Sequence, residues 1–368
     1  MIYRDGEVQE IQGAWAGAQV VLVKITKANS KSLLPVGSLV KAISYTRICG
    51  DISEGESVRL ECSALALRLG TGGMANVVTV LDRLPQDFLP DGHMVKARYT
   101  PTQVMVAAAD EQDAFLHEHL TGARLRGTPV VATDLHSQLP AVIAGAKSIK
   151  ADAKVAYVMT DGAALPLAFS RQVAALREAG WIKSTVTCGQ AFGGDFEAVS
   201  IPSALQVAKV AVEPDVIVIG QGPGNLGGDT EFGFTGVDVA WALTAAKVLQ
   251  GRPIASLRIS DADKRARHFG LSHHTATALQ HLTQVSVELA LPHIHDSQFA
   301  TEVRSQVLAC AAPRHAVVNV DVEDATAYLL SSPVPLRTMG RSLKDDPYIF
   351  ISAFAAGKLS QLAPAKND

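Results

Sequence analysis

Residues 215–236 read DVIVIGQGPGNLGGDTEFGFTG: an aliphatic run at 216–219 closes on Gly220 and opens into a loop with glycines at 222, 224, 227 and 228. A short strand that is apolar on both faces belongs in a parallel sheet covered by helices on both sides. Residues 222–227 also spell G-x-G-x-x-G, the pattern of a dinucleotide-binding turn. Such a turn normally follows the first strand of its sheet and runs straight into a helix, with an acidic residue about 20 positions on. Here at least three strand-like runs come first, and residues 228–236 separate the last motif glycine from the next helical stretch at Val237. No NAD or FAD motif passes this context test. Gly222, Gly224 and Gly227 are instead read as a loop whose backbone approaches an anionic ligand closely.

The same rhythm extends outward from this stretch. VMVAA (104–108), PVVAT (129–133), VAYVMT (155–160), STVTC (184–188) and IASLRI (254–259) alternate with helical stretches such as PLAFSRQVAALREAG and VDVAWALTAAKVLQG. After Leu291 the pattern blurs, with HAVVNV (315–320) as a further strand and Asp346-Pro347 opening a C-terminal helix. Residues 101–368 therefore predict an α/β domain: a doubly wound, mostly parallel sheet with helices on both faces. Residues 1–100 differ. VVLVKIT (20–26), LVKAISY (39–45) and SVRLECSALAL (57–67), separated by turn residues, predict a small antiparallel β barrel or sandwich. Its glycine run, Gly70-Thr71-Gly72-Gly73, reads as a turn rather than an anion site.

Composition narrows the function. A chain of 368 residues exceeds the roughly 250–300 at which single cores stop growing, consistent with two domains. With 33 basic and 36 acidic residues, the net charge of −3 gives no reason to expect a nucleic-acid partner. No apolar stretch approaches the roughly 18 residues of a membrane span, and MIYRDGEVQE lacks the apolar core of a signal peptide, so a cytoplasmic location is expected. Cys49, Cys62, Cys188 and Cys310 show neither metal-site nor disulfide-scaffold spacing, which suits a reducing compartment. Cys188 reads as a small buried residue, not a nucleophile.

In an open parallel sheet, ligands bind beyond the carboxyl ends of the strands. The residues after five consecutive strand candidates are polar: Asp134 to Gln138 with His136, Asp161-Gly162, Gly193-Gly194-Asp195-Phe196-Glu197, the glycine loop, and Ser260-Asp261 with Asp263. A single Asp or Ser in this position caps a helix, but five such loops together predict a binding site lined by His136, the loop glycines and Asp261. Asp161, Asp195 and Glu197 are candidate metal ligands or general acid/base groups. In Arg267-His268-Phe269-Gly270-Leu271-Ser272-His273-His274, Ser272 is a candidate N-cap, which places His273 and His274 in a first helical turn as neutral imidazoles and candidate proton carriers. Neighbouring helix residues diverge by about 100°, so one of the two is expected to face the crevice. A divalent metal is one option, without a fixed-spacing motif to specify it. His117-Glu118-His119 reads as a solvated helix face.

The stretches LGTGG, GHMVKARYTP, LHSQL, AYVMTDGAALPLA, GQAFGGDFEAV, GPGNLG, RISDAD, SHHT and RTMGRSL resemble a bacterial family catalogued as domain of unknown function 3866. The resemblance spans nearly the whole chain and implies no activity, substrate or catalytic residue. The resemblance implies histidine at the position this sequence fills with Gln190, so no proton-transfer role is expected there. The expectation is an enzyme, a hydrolase or group transferase rather than an oxidoreductase, acting on a small anionic metabolite. The alternative is a non-catalytic sensor or assembly protein, open to homo-oligomer formation, with the β domain as its contact module.

Overall fold

A computed structural model describes residues 1–29, 33–69, 72–295 and 297–364. The chain divides into two compact units, Met1–Ala107 with Ala168–Ala174, and Ala108–Leu167 with Ala175–Asp368.

The first unit is built on a closed barrel of five strands: β1 (Tyr3–Trp15), β2 (Ala18–Lys27), β3 (Leu39–Tyr45), β4 (Ser57–Glu61) and β5 (Ala75–Val80). Their order is β1-β2-β3-β5-β4, and β1 pairs with β4 to close the cylinder. The pairs are antiparallel except β3 with β5, which is parallel. Inward-facing Val21, Val23, Ile25, Val58, Leu60 and Val77 fill the interior. The predicted strand at 57–67 ends at Glu61, where Ser63–Ala66 forms a helical turn. Gly70 and Thr71 of the glycine run lie outside the described residues. The run at 104–108, expected in the parallel sheet, instead supplies β7 (Val104–Val106), which pairs antiparallel with β6 (Met94–Lys96) in the first unit.

The second unit carries an eight-stranded sheet of β8 (Pro129–Thr133), β9 (Val155–Thr160), β10 (Ser184–Thr187), β11 (Phe196–Glu197), β12 (Val216–Gln221), β13 (Arg252–Ala255), β16 (Glu288–Pro292) and β17 (Ala316–Val320). Between β13 and β16, β14 (Ile259–Ser260) and β15 (Gly270–Leu271) form a separate small ladder; β18 (Arg337–Thr338) and β19 (Arg341–Ser342) form another. Every pair in the large sheet is parallel, in the order β11-β10-β9-β12-β8-β13-β16-β17. Strands β8, β9 and β12 are apolar on both faces because helices cover both, and β13, which opens on the ion-paired Arg252, is buried throughout. Helices Ile201–Val212, Asp238–Val248 and Ser297–Ala311 contribute to one core, whereas Leu139–Ile149 packs against Pro347–Gln361. The fold is the expected doubly wound α/β sheet preceded by a small barrel.

This topology singles out the centre of the sheet, where connections change direction. From β8 the chain leaves through helix Leu139–Ile149 to β9 on one side; from its neighbour β12 it leaves through helix Asp238–Val248 to β13 on the other. Adjacent strands whose connections depart in opposite directions leave a crevice at their carboxyl ends, where ligands bind in open α/β sheets.

Candidate functional site

At the switch between β8 and β12, Thr133, Thr160, Gly220, Gln221, Gly236 and Asp238 line a small cavity. The Gln221 side chain donates to the Asp134 carbonyl at 3.0 Å, while its own Oε1 is buried without a partner among the described residues. Thr160 donates to Asp238 at 3.3 Å. Burial raises the Asp238 pKa, the Thr160 bond opposes that rise, and the nearby charge of Asp161 adds to it. A Cβ at Gly162 would meet both Asp238 Oδ2 and Gln221 Oε1, so glycine is what allows the Asp161 loop to run this close.

Asp134, the first residue after β8, is 4% exposed, and neither carboxylate oxygen has a hydrogen-bond partner among the described residues. Burial raises its pKa; the charge of Arg258 partly offsets this. Arg258 follows the end of the adjacent strand β13 and is 3% exposed. Its contacts are the Asp134 carboxylate at 3.9 Å, His274 Nδ1 at 3.5 Å and Met339 Sδ at 3.5 Å. Each is longer or weaker than the roughly 2.8 Å charge-assisted bond a buried guanidinium normally makes. Burial lowers the Arg258 pKa, opposed by Asp134. The pair thus combines a buried cation and a buried anion, both with unused hydrogen-bonding capacity.

Three imidazoles adjoin Arg258. The chain reaches them through β14 and β15, with Ser272 N–H donating to the Arg258 carbonyl at 2.8 Å and Arg258 N–H donating to Thr275 Oγ1 at 3.4 Å. Gly270, at φ 71°, makes this turn against Gln306, which accepts from Leu271 N–H at 2.6 Å. Ser272 is the N-cap of helix His273–Thr277, as expected, and its hydroxyl accepts from His274 N–H at 3.3 Å. The ring centroids of His268, His273 and His274 lie 4.9, 4.9 and 4.3 Å apart, and Phe234 stacks on His274 at 3.9 Å. Burial depresses the pKa of all three; for His268 and His274 it falls to about 3, with the neighbouring arginines adding to the effect. All three are neutral imidazoles near pH 7 and so have nitrogen lone pairs to offer. Their ligand atoms lie within 4.8 Å of one another, the group among the described residues suited to a metal.

The glycine loop reaches this cluster. Gly228 N–H donates to the Gly233 carbonyl at 2.6 Å, Thr235 N–H donates to the Leu226 carbonyl at 3.0 Å, and a bridge joins Gly227 to Phe234. A Cβ on Gly227 would touch both His274 and Phe234, whereas Gly224 faces open space and Gly222 abuts the Ala164 carbonyl.

The remaining predicted site residues are distributed unevenly. His136 Nδ1 lies 3.1 Å from the Tyr157 hydroxyl, itself 3.5 Å from the Gln221 carbonyl, and burial lowers the His136 pKa to about 4. Asp161 is exposed at the end of β9 and accepts from Gln190 N–H at 2.7 Å; Gly189, at φ 64°, leaves room for its carboxylate. Asp261 is exposed in the turn after β14, and its charge reaches Asp346.

The expected placement of Asp195 in the common crevice is corrected. Strand β11 folds back beside β10, so Asp195 accepts from Thr185 N–H at 2.9 Å near the start of β10 and pairs with Arg177. Glu197 is buried at the sheet edge, accepting from Thr187 at 2.6 Å and from Gly193 N–H at 2.7 Å. Both brace the 189–197 loop. The divergence expected of His273 and His274 is also corrected: both rings join His268 in one cluster.

Asp134, Arg258 and His268 were not among the predicted site residues. Asp134 carries the strand-end signal used for its neighbours. Arg258 falls inside the apolar run 254–259 and reads as part of a strand, but β13 stops at Ala255. His268 stands five residues before the histidine pair and comes close only through the β14–β15 turn.

The family model described as "Protein of unknown function (DUF3866)" matches residues 41–357. No curated protein and no solved structure matches the chain. Because the family match runs from the third barrel strand into the last helix, the chain belongs to the DUF3866 family of proteins of unknown function.

Proposed function

We propose that the second unit is an enzyme, a hydrolase or group transferase, acting on a small anionic metabolite beyond the carboxyl ends of β8, β12 and β13. The observation that carries this reading is the Arg258–Asp134 pair. A buried guanidinium with only long contacts is suited to an incoming phosphate or carboxylate, which would satisfy it with the short, paired bonds its planar fork favours. Asp134, held beside it with a raised pKa, is the candidate general acid/base. The 222–228 loop and the Asp161–Gly162 turn are the ligand's remaining walls. The four cysteines are buried thiols, which supports a reducing, cytoplasmic setting, and no described helix is long and apolar enough to cross a membrane.

The test is a thermal-shift panel of phosphorylated and carboxylated metabolites, followed by a turnover assay on every hit. Turnover lost in both Arg258→Met and Asp134→Asn supports the enzyme. Tight binding without turnover supports a sensor, a reading favoured by the exposed apolar side chains of Leu84, Phe88, Leu89 and Tyr99 in the first unit. Hits unaffected by either substitution would place the ligand elsewhere.

A further inference from the structure

We propose that His268, His273 and His274 form a binding site for one divalent transition metal of the zinc class, coordinated through three imidazole nitrogens. The geometry stands apart from the proposed activity, because three rings contributed by one short turn and the helix after it converge with their ligand atoms within 4.8 Å of one another. In a tetrahedral zinc site with bonds of about 2.0–2.1 Å, ligand nitrogens lie about 3.3 Å apart, so closing the cluster asks each ring to move by roughly an ångström.

The ring orientations suit this. His268 is 1% exposed, and its Nδ1 lies 2.8 Å from the Ser272 hydroxyl, which also accepts from His274 N–H at 3.3 Å. That contact fixes the ring and leaves its Nε2 side for the metal, the usual role of an outer-shell hydroxyl or carboxylate. His273 Nε2 is buried and has no hydrogen-bond partner among the described residues, a state that a buried polar atom seldom keeps. A metal resolves it.

The donor set selects the ion. Three imidazoles without a carboxylate suit zinc, cobalt, nickel or copper, whereas magnesium and calcium require oxygen ligands. Three protein ligands also leave a fourth position open, as in catalytic rather than structural zinc sites. The group opposing a cation is Arg258, whose Nη1 lies 3.5 Å from His274 Nδ1; the Asp134 carboxylate, 3.9 Å from the same Nη1, offsets its charge. Arg265 and Arg267 are likewise paired, with Asp263 and Asp229.

The test uses the full-length protein, stripped of metal and titrated with Co2+. We expect one equivalent to produce saturable visible d–d bands that Zn2+ abolishes. His268→Ala, His273→Ala and His274→Ala should each weaken binding by more than tenfold, and Ser272→Ala, which only positions ligands, by about tenfold. His117→Ala and His119→Ala should bind as the parent does. Absence of a saturable band, or a band that survives all three histidine substitutions, overturns the proposal. Where a variant fails to fold, a Zn2+-soaked crystal of the parent decides: an anomalous peak among the three rings supports the site, and a peak elsewhere or none contradicts it. Because no substrate is needed, this result is independent of whether Arg258 binds an anion.

Discussion

Arg258 occupies a position where a positive charge is costly to keep, at 3% exposure with its nearest carboxylate oxygen 3.9 Å away. Removing one member of such a pair strands the other. Arg258→Met is therefore expected to lower stability by about 3–5 kcal/mol, whereas Arg258→Met combined with Asp134→Leu should lose less, because no buried charge is left unmatched. Urea unfolding of the two single variants and the double variant measures the difference, and additive losses would show that the two residues do not act as a pair. A second prediction concerns acid. The His136 pKa is depressed to about 4 by burial, so below its ordinary value of 6.5 the unfolded chain takes up a proton that the folded protein refuses. The contribution of His136 to stability is complete above pH 6.5 and declines as the pH falls towards 4. The slope of unfolding free energy against pH in that window should be shallower in His136→Gln than in the parent; identical slopes would exclude the effect. At this scale the sequence revealed residue types but not their partners. Asp195 and Asp134 both follow strands, yet parallel pairing of β11 turns one back along the sheet edge while the other stays in the crevice.

Helices Leu139–Ile149 and Pro347–Gln361 cross at two glycines. A Cβ on Gly145 would run into the Phe354 carbonyl, and one on Gly357 into the Val142 carbonyl, so the two backbones touch where they cross. Alanine normally favours a helix over glycine by about 1 kcal/mol, but here the added methyl must push two buried helices apart. Gly145→Ala and Gly357→Ala should each lower stability by about 1–3 kcal/mol net, and the double variant by less than the sum, since the first methyl makes room for the second. Thermal unfolding that shows either variant stabilised would refute the close crossing. Elements were legible where their pattern was pure: β8, β9 and β12 are apolar on both faces and follow the predicted runs closely. Strand β1 was missed because its second half is exposed and its pairing with β2 is bulged, which erases the alternation that marks a strand. The C-terminal helix starts at Pro347 as read, but Asp346 does not cap it; its carboxylate is buried and accepts from Ser260 and Arg341 at 2.9 Å each.

The first break between the two compact units falls between Ala107 and Ala108. The second unit has its own core and all eight sheet strands, so a chain beginning at Ala108 is expected to unfold in one cooperative transition. Residues Ala168–Ala174 group with the first unit, Trp15 donating to the Ala168 carbonyl at 2.6 Å and Arg171 lying over the Trp15 ring. That segment was invisible to a linear division of the sequence, because a strand-to-helix connection from one domain gives no local sign that it belongs to another. A broad, non-cooperative melt of the shortened chain would show that the barrel is integral to the second core. The site itself was half legible: the strand-end rule led to the crevice, while the Arg258–Asp134 pair and the third histidine depend on where β13 stops and how the β14–β15 turn brings residues 258, 268 and 274 together. Arg258 is proposed to receive an anionic ligand, and calorimetric titration of the panel's tightest binder into the parent and into Arg258→Met decides whether it does. One saturable site is expected in the parent, with affinity weaker by at least about thirtyfold in the variant, equivalent to the roughly 2 kcal/mol lower bound for losing a buried charged contact. Equal affinity in the two proteins would contradict it.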